Sequence, residues 1–129
     1  MADRNLSDLK VLIVDDEEDL SEVLKALLEG MGCGNILTAA DGEEGFFTAQ
    51  QHLPDLIFLD LMMPGVDGVK TLDFLDSDDR TMGIPVIIQS SLLTPESVIE
   101  KEGLLHGRPC ISKPYQMPQI EEAIERALQ

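Results

Sequence analysis

The stretch Leu56-Ile57-Phe58-Leu59-Asp60-Leu61-Met62-Met63-Pro64-Gly65-Val66-Asp67-Gly68 constrains this chain more than any other. Four apolar residues run into a single carboxylate, and a Pro/Gly-rich turn follows. An uninterrupted apolar run of that length predicts a strand buried on both faces, as in a parallel sheet. Asp60 then falls at the carboxyl end of the strand, the side on which open α/β sheets place their ligands.

The rest of the chain repeats this scheme. Lys10-Val11-Leu12-Ile13-Val14 is a first apolar run, closed by Asp15-Asp16-Glu17-Glu18-Asp19. From Glu18, Leu20, Val23, Leu24, Leu27 and Leu28 recur at helical spacing, with acids suited to the positive end of the helix dipole and Gly30 and Gly32 as stops. Asn35 to Ala40 predicts a second, weaker strand. Asp41-Gly42-Glu43-Glu44 has the form of a capping box, opening a helix to about His52 that is expected to bury Phe46, Phe47 and Ala49. After the strand that delivers Asp60, Val69, Leu72, Phe74 and Leu75 predict a third helix. Ile84 to Gln89 is a fourth strand, ending at Ser90-Ser91. Thr94-Pro95-Glu96 places a capping residue before a first-turn proline, predicting a fourth helix to about Leu105. Pro109-Cys110-Ile111-Ser112 is a short fifth strand leading to Lys113-Pro114, and a last helix from about Pro118 is expected to bury Ile120, Ala123, Ile124 and Leu128.

Five strand-then-helix units without an internal repeat or linker predict an α/β domain, a parallel sheet wound with helices on both faces. The 129 residues suit one such domain spanning 1–129. Lysine and arginine total 9 against 25 acids, a formal net charge of −16, so the surface should repel nucleic-acid phosphates and anionic lipid. Cys33 and Cys110 are too few and too isolated for a disulfide framework or a zinc site. Met1 to Lys10 is polar and charged rather than a secretory leader, and no apolar run nears the ~20 residues of a membrane span. A cytoplasmic protein that binds neither nucleic acid nor membrane is expected.

Four motifs occur in order: I-V-D-D-E at residues 13–17, F-L-D-L-M-M-P-G-V-D-G at 58–68, P-V-I-I-Q-S-S at 85–91 and S-K-P at 112–114. Each alone is weak. Together, at this spacing, they resemble the receiver domains of response regulators, and the resemblance covers essentially the whole chain. It implies a flavodoxin-like doubly wound (βα)5 fold with strand order 2-1-3-4-5. The ends of strands one, three, four and five then converge, bringing Asp15, Asp16, Asp60, Ser90 and Lys113 to one edge.

The residue types suit phosphoryl transfer to Asp60. A carboxylate attacking phosphorus must overcome repulsion between anions, so a cation has to bridge them. Magnesium takes carboxylates, waters and phosphate oxygens in octahedral geometry. Asp15, Asp16 and Asp60 supply carboxylates, and the resemblance implies the backbone oxygen of Met62 as a further ligand. Lys113 would pair with a phosphoryl oxygen as a point charge, and Ser90 would donate a hydrogen bond to another. The phosphoryl donor implied is a sensor histidine kinase or a phosphotransfer protein, and the output is altered binding of a downstream protein.

Two departures stand out. The family's switch aromatic lies three residues before the lysine, and here that position is Cys110, a small residue that buries readily. Tyr115, just beyond Lys113-Pro114, occupies a different place. The segment from Glu102 to Arg108 also differs from the family's usual Gly-Ala-Asp-Asp sequence, so the dimerisation mode of DNA-binding regulators is not assumed. Met62 and Leu92, two residues after Asp60 and Ser90, are apolar and cannot orient an attacking water, which predicts slow spontaneous dephosphorylation. Asp73, Asp76, Asp78 and Asp79 lack the glycine of a calcium loop, and His52 and His106 have no matched ligand spacing.

Three functions compete. The first is a phosphorylation switch, standing alone or as the receiver part of a larger regulator, that catalyses only its own phosphorylation and dephosphorylation. The second is a binding module with an intact pocket whose signalling no longer needs phosphate, motivated by Cys110. The third is a phosphoester hydrolase with an aspartyl nucleophile, but the D-x-D motif of such phosphatases is absent at Asp15-Asp16-Glu17.

Overall fold

A computed structural model describes residues 6–62 and 68–129. The Pro64-Gly65 turn lies outside the described residues. Six strands, β1 (Lys10–Val14), β2 (Asn35–Ala39), β3 (Leu56–Asp60), β4 (Val86–Ser90), β5 (Leu104–Leu105) and β6 (Arg108–Ser112), form a sheet of order β2-β1-β3-β4-β6-β5. The first five in that order pair in parallel, as the strand-then-helix alternation requires. Among the described residues, five α-helices cover them: α1 (Glu18–Gly30), α2 (Gly42–His52), α3 (Gly68–Ser77), α4 (Pro95–Glu100) and α5 (Met117–Ala127).

The two central strands, β3 and β4, are buried at every position. Successive side chains on a strand point to opposite faces, so the run Leu56 to Asp60 feeds two cores at once. Ile57 and Leu59 join Leu12, Val14, Ala49, Leu72 and Ile88 on one face. Leu56 and Phe58 join Ile13, Leu24, Leu28, Ile87 and Ile124 on the other. Asp60 and Gln89 follow the parity of Phe58 and Ile87, and Asp60 is the registered partner of Gln89. A polar pair therefore extends the second face at the functional edge.

Local signals set several boundaries. Asp41 accepts a hydrogen bond from the Glu44 amide at 2.8 Å, while Glu44 reaches back to the Ala40 amide. Thr94 and Ser97 cap each other reciprocally, with Pro95 opening α4. A Cβ on Gly45 would meet the Val14 methyls at 2.7 and 2.8 Å, so α2 can approach β1 this closely only through glycine.

Three expectations need correction. The expected order 2-1-3-4-5 holds for the parallel strands, but the sheet gains an antiparallel edge strand, β5, between α4 and the last parallel strand. Helix α4 ends at Glu100, not near Leu105, because Glu102 and Gly103 turn left-handed at φ 57° and 74°. His106 and Gly107, at φ 53° and 73°, then make the two-residue turn that returns the chain from Leu105 to Arg108; positive φ at both central positions matches the right-handed twist of a hairpin. Lastly, Phe47, expected in the core, is 61% exposed, and Val69 and Phe74 on α3 are also largely exposed.

Candidate functional site

The edge formed by the carboxyl ends of β1, β3, β4 and β6 gathers the polar residues expected there. Asp15, Asp60, Ser90 and Lys113 are all buried, while Asp16 is exposed beside them. Four charged or polar side chains at the strand ends of a small core need partners, because an unpaired buried charge is strongly disfavoured. Asp15, Asp60 and Lys113 find them in one another. Lys113 Nζ lies 2.7 Å from Asp15 Oδ2 and 2.9 Å from Asp60 Oδ2, with Glu17 Oε1 further out at 3.3 Å.

Backbone donors fix the carboxylates. The Met62 amide donates to Asp60 Oδ1 at 2.9 Å, and the Glu17 amide donates to Asp15 Oδ1 at the same distance. Asp15 therefore closes a turn rather than capping α1, whose N-cap is Glu17. Ser90 Oγ accepts from the Leu92 amide at 3.1 Å. Gly68 presses on the same strand end: its amide donates to the Leu61 carbonyl, and a Cβ there would overlap the Asp60 carbonyl and Leu61 Cα. The glycine that ends the 58–68 motif is thus demanded by packing against the acid-bearing strand.

One lysine does not neutralise this set. Burial pushes the Asp60 carboxyl up to about 6; the Met62 and Lys113 hydrogen bonds pull against that, and the Asp15 charge adds to it. For Lys113, burial opposes the charged form, but Asp15 and Asp60 outweigh it and hold the ammonium above its ordinary pKa. Asp15 Oδ2 is buried, and the Lys113 ammonium at 2.7 Å is its partner among the described residues. Carboxylate oxygens of Asp15, Asp16, Glu17 and Asp60 lie within 4.8 Å of one another. An all-oxygen set with excess negative charge fits a hard divalent cation such as magnesium. Among the described residues, Asp73, Asp76, Asp78 and Asp79 do not join a convergent group: Asp76 pairs with Arg108, and Asp78 accepts from Gln50 and the Arg80 amide.

Sequence reasoning passed over three residues. Glu17 approaches Lys113 and the acids, and its position directly after Asp15-Asp16 was the available signal. Gln89 is completely buried beside Asp60, and Tyr115 donates its hydroxyl to Gln89 Oε1 at 2.9 Å. Gln89 lies inside the 85–91 motif and Tyr115 beside Lys113-Pro114, but nothing in the sequence signals the contact between them. Cys110 is buried in the core against Ile88, as its size suggests.

The family model for the response regulator receiver domain matches residues 11–125, nearly the whole chain. The chain belongs to the response-regulator receiver family. It is 33% identical over 120 residues to the polar-differentiation response regulator DivK of Brucella anthropi, covering 92% of this chain and 94% of that one. Response regulator Rre1 of Synechocystis is 32% identical over 93% of this chain, which spans only 52% of that longer relative. Among solved structures, the N-terminal domain of a response regulator receiver protein from Methanoculleus marisnigri superposes with a TM-score of 0.70 at 36% identity, covering 95% of this chain and 98% of that one. Vibrio cholerae chemotaxis protein CheY4 gives 0.76 at 25% identity, covering 93% and 98%. Receiver domains of two-component systems are signalling switches, so the acid pocket is the place to look for the switching chemistry.

Proposed function

We propose that residues 1–129 form a single receiver domain that accepts a phosphoryl group on Asp60 and signals through altered binding of a downstream protein. The observation that carries this reading is the buried Asp60 carboxylate at the end of β3, held by Lys113 Nζ at 2.9 Å and the Met62 amide at 2.9 Å beside three further carboxylates. The donor would be a phosphohistidine on a sensor histidine kinase or phosphotransfer protein. An Asp60 oxygen forms the new bond to phosphorus as the phosphorus–nitrogen bond breaks, and the imidazole nitrogen keeps the electron pair and later takes a proton.

Asp15, Asp16 and Asp60, with the Met62 carbonyl, would hold magnesium, and Glu17 stands close enough to tune the site. When bound, the ion supplies the positive charge that lets a carboxylate meet a phosphoryl group. Lys113 then exchanges a carboxylate oxygen for a phosphoryl oxygen. Ser90, whose oxygen accepts from the Leu92 amide, still has its own proton to donate to another. The chain itself turns over only its own acyl phosphate, in the cytoplasm where histidine kinases expose their donors.

Intact-mass spectrometry after incubation with acetyl phosphate and magnesium tests the reading. One added phosphoryl group on the parent and none on Asp60→Asn is the expected result. No adduct from acetyl phosphate, nor from a phosphorylated histidine kinase, overturns it. The apolar side chains of Met62 and Leu92 are 54% and 73% exposed and carry no group that orients water. Spontaneous dephosphorylation is therefore expected to be slow, and Met62→Asn is expected to shorten the phosphoryl lifetime several-fold. A lifetime of seconds that no substitution at either position lengthens would count against this.

One observation favours a second reading. The position three before Lys113 holds buried Cys110 rather than an aromatic ring that could turn inward. A receiver without that ring could bind its partner regardless of phosphate. Equal partner affinity for the phosphorylated parent, the unphosphorylated parent and Asp60→Asn would select this alternative.

A further inference from the structure

Three of the chain's four phenylalanines gather on helices α2 and α3. Phe58 alone is fully buried; Phe47 is 61% exposed and Phe74 45% exposed. The seam is stitched by one rung between the helices and one from α2 to Asp78, the residue just past α3. The Phe46 and Phe74 rings pack with centroids 5.6 Å apart. One turn further on, Gln50 Nε2 donates to Asp78 Oδ2 at 2.8 Å. The exposed rings therefore stand on a braced platform rather than on loose side chains.

The surroundings of Phe47 are acidic. Asp41, Glu43 and Glu44 line the same surface concavity as Phe46 and Phe47, and no cationic side chain lines it. Exposed aromatic area is unfavourable in water, and aromatic residues ringed by polar groups are typical of contact surfaces. A carboxylate rim around phenylalanine faces suits an incoming ammonium or guanidinium, which gains from both ion pairing and the ring quadrupole. A second copy of this chain would bring the same acids and a further net charge of −16 against them. Nucleic acid and anionic membrane are repelled for the same reason.

We propose that the α2–α3 face is a docking surface for a basic amphipathic helix of a partner protein. Its apolar residues cover Phe47 and Phe74, and its lysines or arginines meet Glu43 and its neighbours. The surface shares Glu44 with the concavity that holds Asp15 and Asp16, so its test is run on magnesium-free, unphosphorylated chain, where the outcome does not depend on the chemistry of Asp60.

The probe is a synthetic helical peptide of about 18 residues with leucines at i, i+3, i+4 and i+7 and lysines and arginines elsewhere. A control peptide keeps the leucines and replaces the cations with glutamates. Amide chemical shifts of the full isotope-labelled chain are followed during titration with each. The expected result is binding of the basic peptide with shifts concentrated on α2 and α3, and roughly tenfold weaker binding or more for the acidic control. Phe47→Ser and Glu43→Lys, both at exposed positions, should each weaken binding of the basic peptide about tenfold while leaving the rest of the spectrum unchanged. Shifts centred elsewhere, or affinity unaltered by both substitutions, overturn the proposal. Concentration-dependent dimerisation abolished by Phe47→Ser would also overturn it, by making a second copy the occupant.

Discussion

At the scale of single residues, Asp60 is in tension with the fold. Its carboxyl is pushed up to about 6 from an ordinary 3.8, chiefly by burial. The native state thus keeps a proton at pH values where the unfolded chain has already released it. Stability therefore falls as pH rises from about 4 to about 6, and the whole penalty, on the order of 3 kcal/mol, is present at pH 7. In magnesium-free buffer, Asp60→Asn should be more stable than the parent at pH 7 by about that amount. The difference should shrink towards zero near pH 4, and urea denaturation at the two pH values checks it. A variant less stable than the parent at both would mean that the Lys113 ion pair outweighs desolvation. Tyr115 has the opposite role. Its hydroxyl satisfies one end of the buried Gln89 amide, whose Nε2 has no partner among the described residues. Tyr115→Phe is expected to cost about 1–2 kcal/mol, and Gln89→Leu in the same chain should recover most of it. Purely additive losses in the double-mutant cycle would show that the two side chains are not coupled.

At the scale of elements, what the sequence made legible was whatever repeated in pattern. Apolar runs ending in Asp15, Asp60, Ser90 and Ser112 announced four strand ends, since burial on both faces leaves no room for polar residues until the sheet edge is reached. The caps at Asp41 and Thr94 were equally readable, because each needs only neighbours in the chain. The remainder depends on contacts between distant residues. Helical spacing marks Phe47 and Phe46 alike, but only the position of α3 decides that Phe46 is covered and Phe47 is not. The left-handed backbone at Glu102 that ends α4 early has no propensity signal in a glutamate, and the two-residue strand Leu104–Leu105 is too short for any periodicity. Gly68 lay in plain sight, yet its reason is spatial. Gly68→Ala drives a methyl into the backbone of Asp60 and Leu61, which no side-chain rotation relieves. A loss of about 2–3 kcal/mol is expected, with weaker magnesium binding because the acid-bearing strand end must shift. Gly34→Ala, in open space, should change stability by less than about 0.5 kcal/mol. Similar losses at both positions would remove the packing argument.

For the molecule as a whole, two electrostatic effects act together and can be separated. A net charge of −16 on 129 residues makes the folded state repel itself. Sodium chloride screens this over the whole surface, shortening the Debye length from about 30 Å at 0.01 M to about 3 Å at 1 M. Magnesium acts in the same diffuse way but also, on the reading proposed here, at one site where Asp15, Asp16 and Asp60 converge. Diffuse screening rises gradually with concentration and ignores which acids are present, whereas site binding saturates and requires particular ones. Thermal melts in low salt should therefore rise by several degrees as sodium chloride is added, for parent and variants alike. With sodium chloride then held at about 0.5 M to mute the diffuse effect, low-millimolar magnesium should stabilise the parent further and reach a plateau. Removing surface charge by Asp73→Asn should leave that plateau unchanged, since Asp73 is exposed on α3 and stands outside the convergent acids. Asp15→Asn should abolish it. A magnesium response of equal size in the parent and Asp15→Asn would assign it to the surface as a whole, and the pocket would lose its claim to a specific cation.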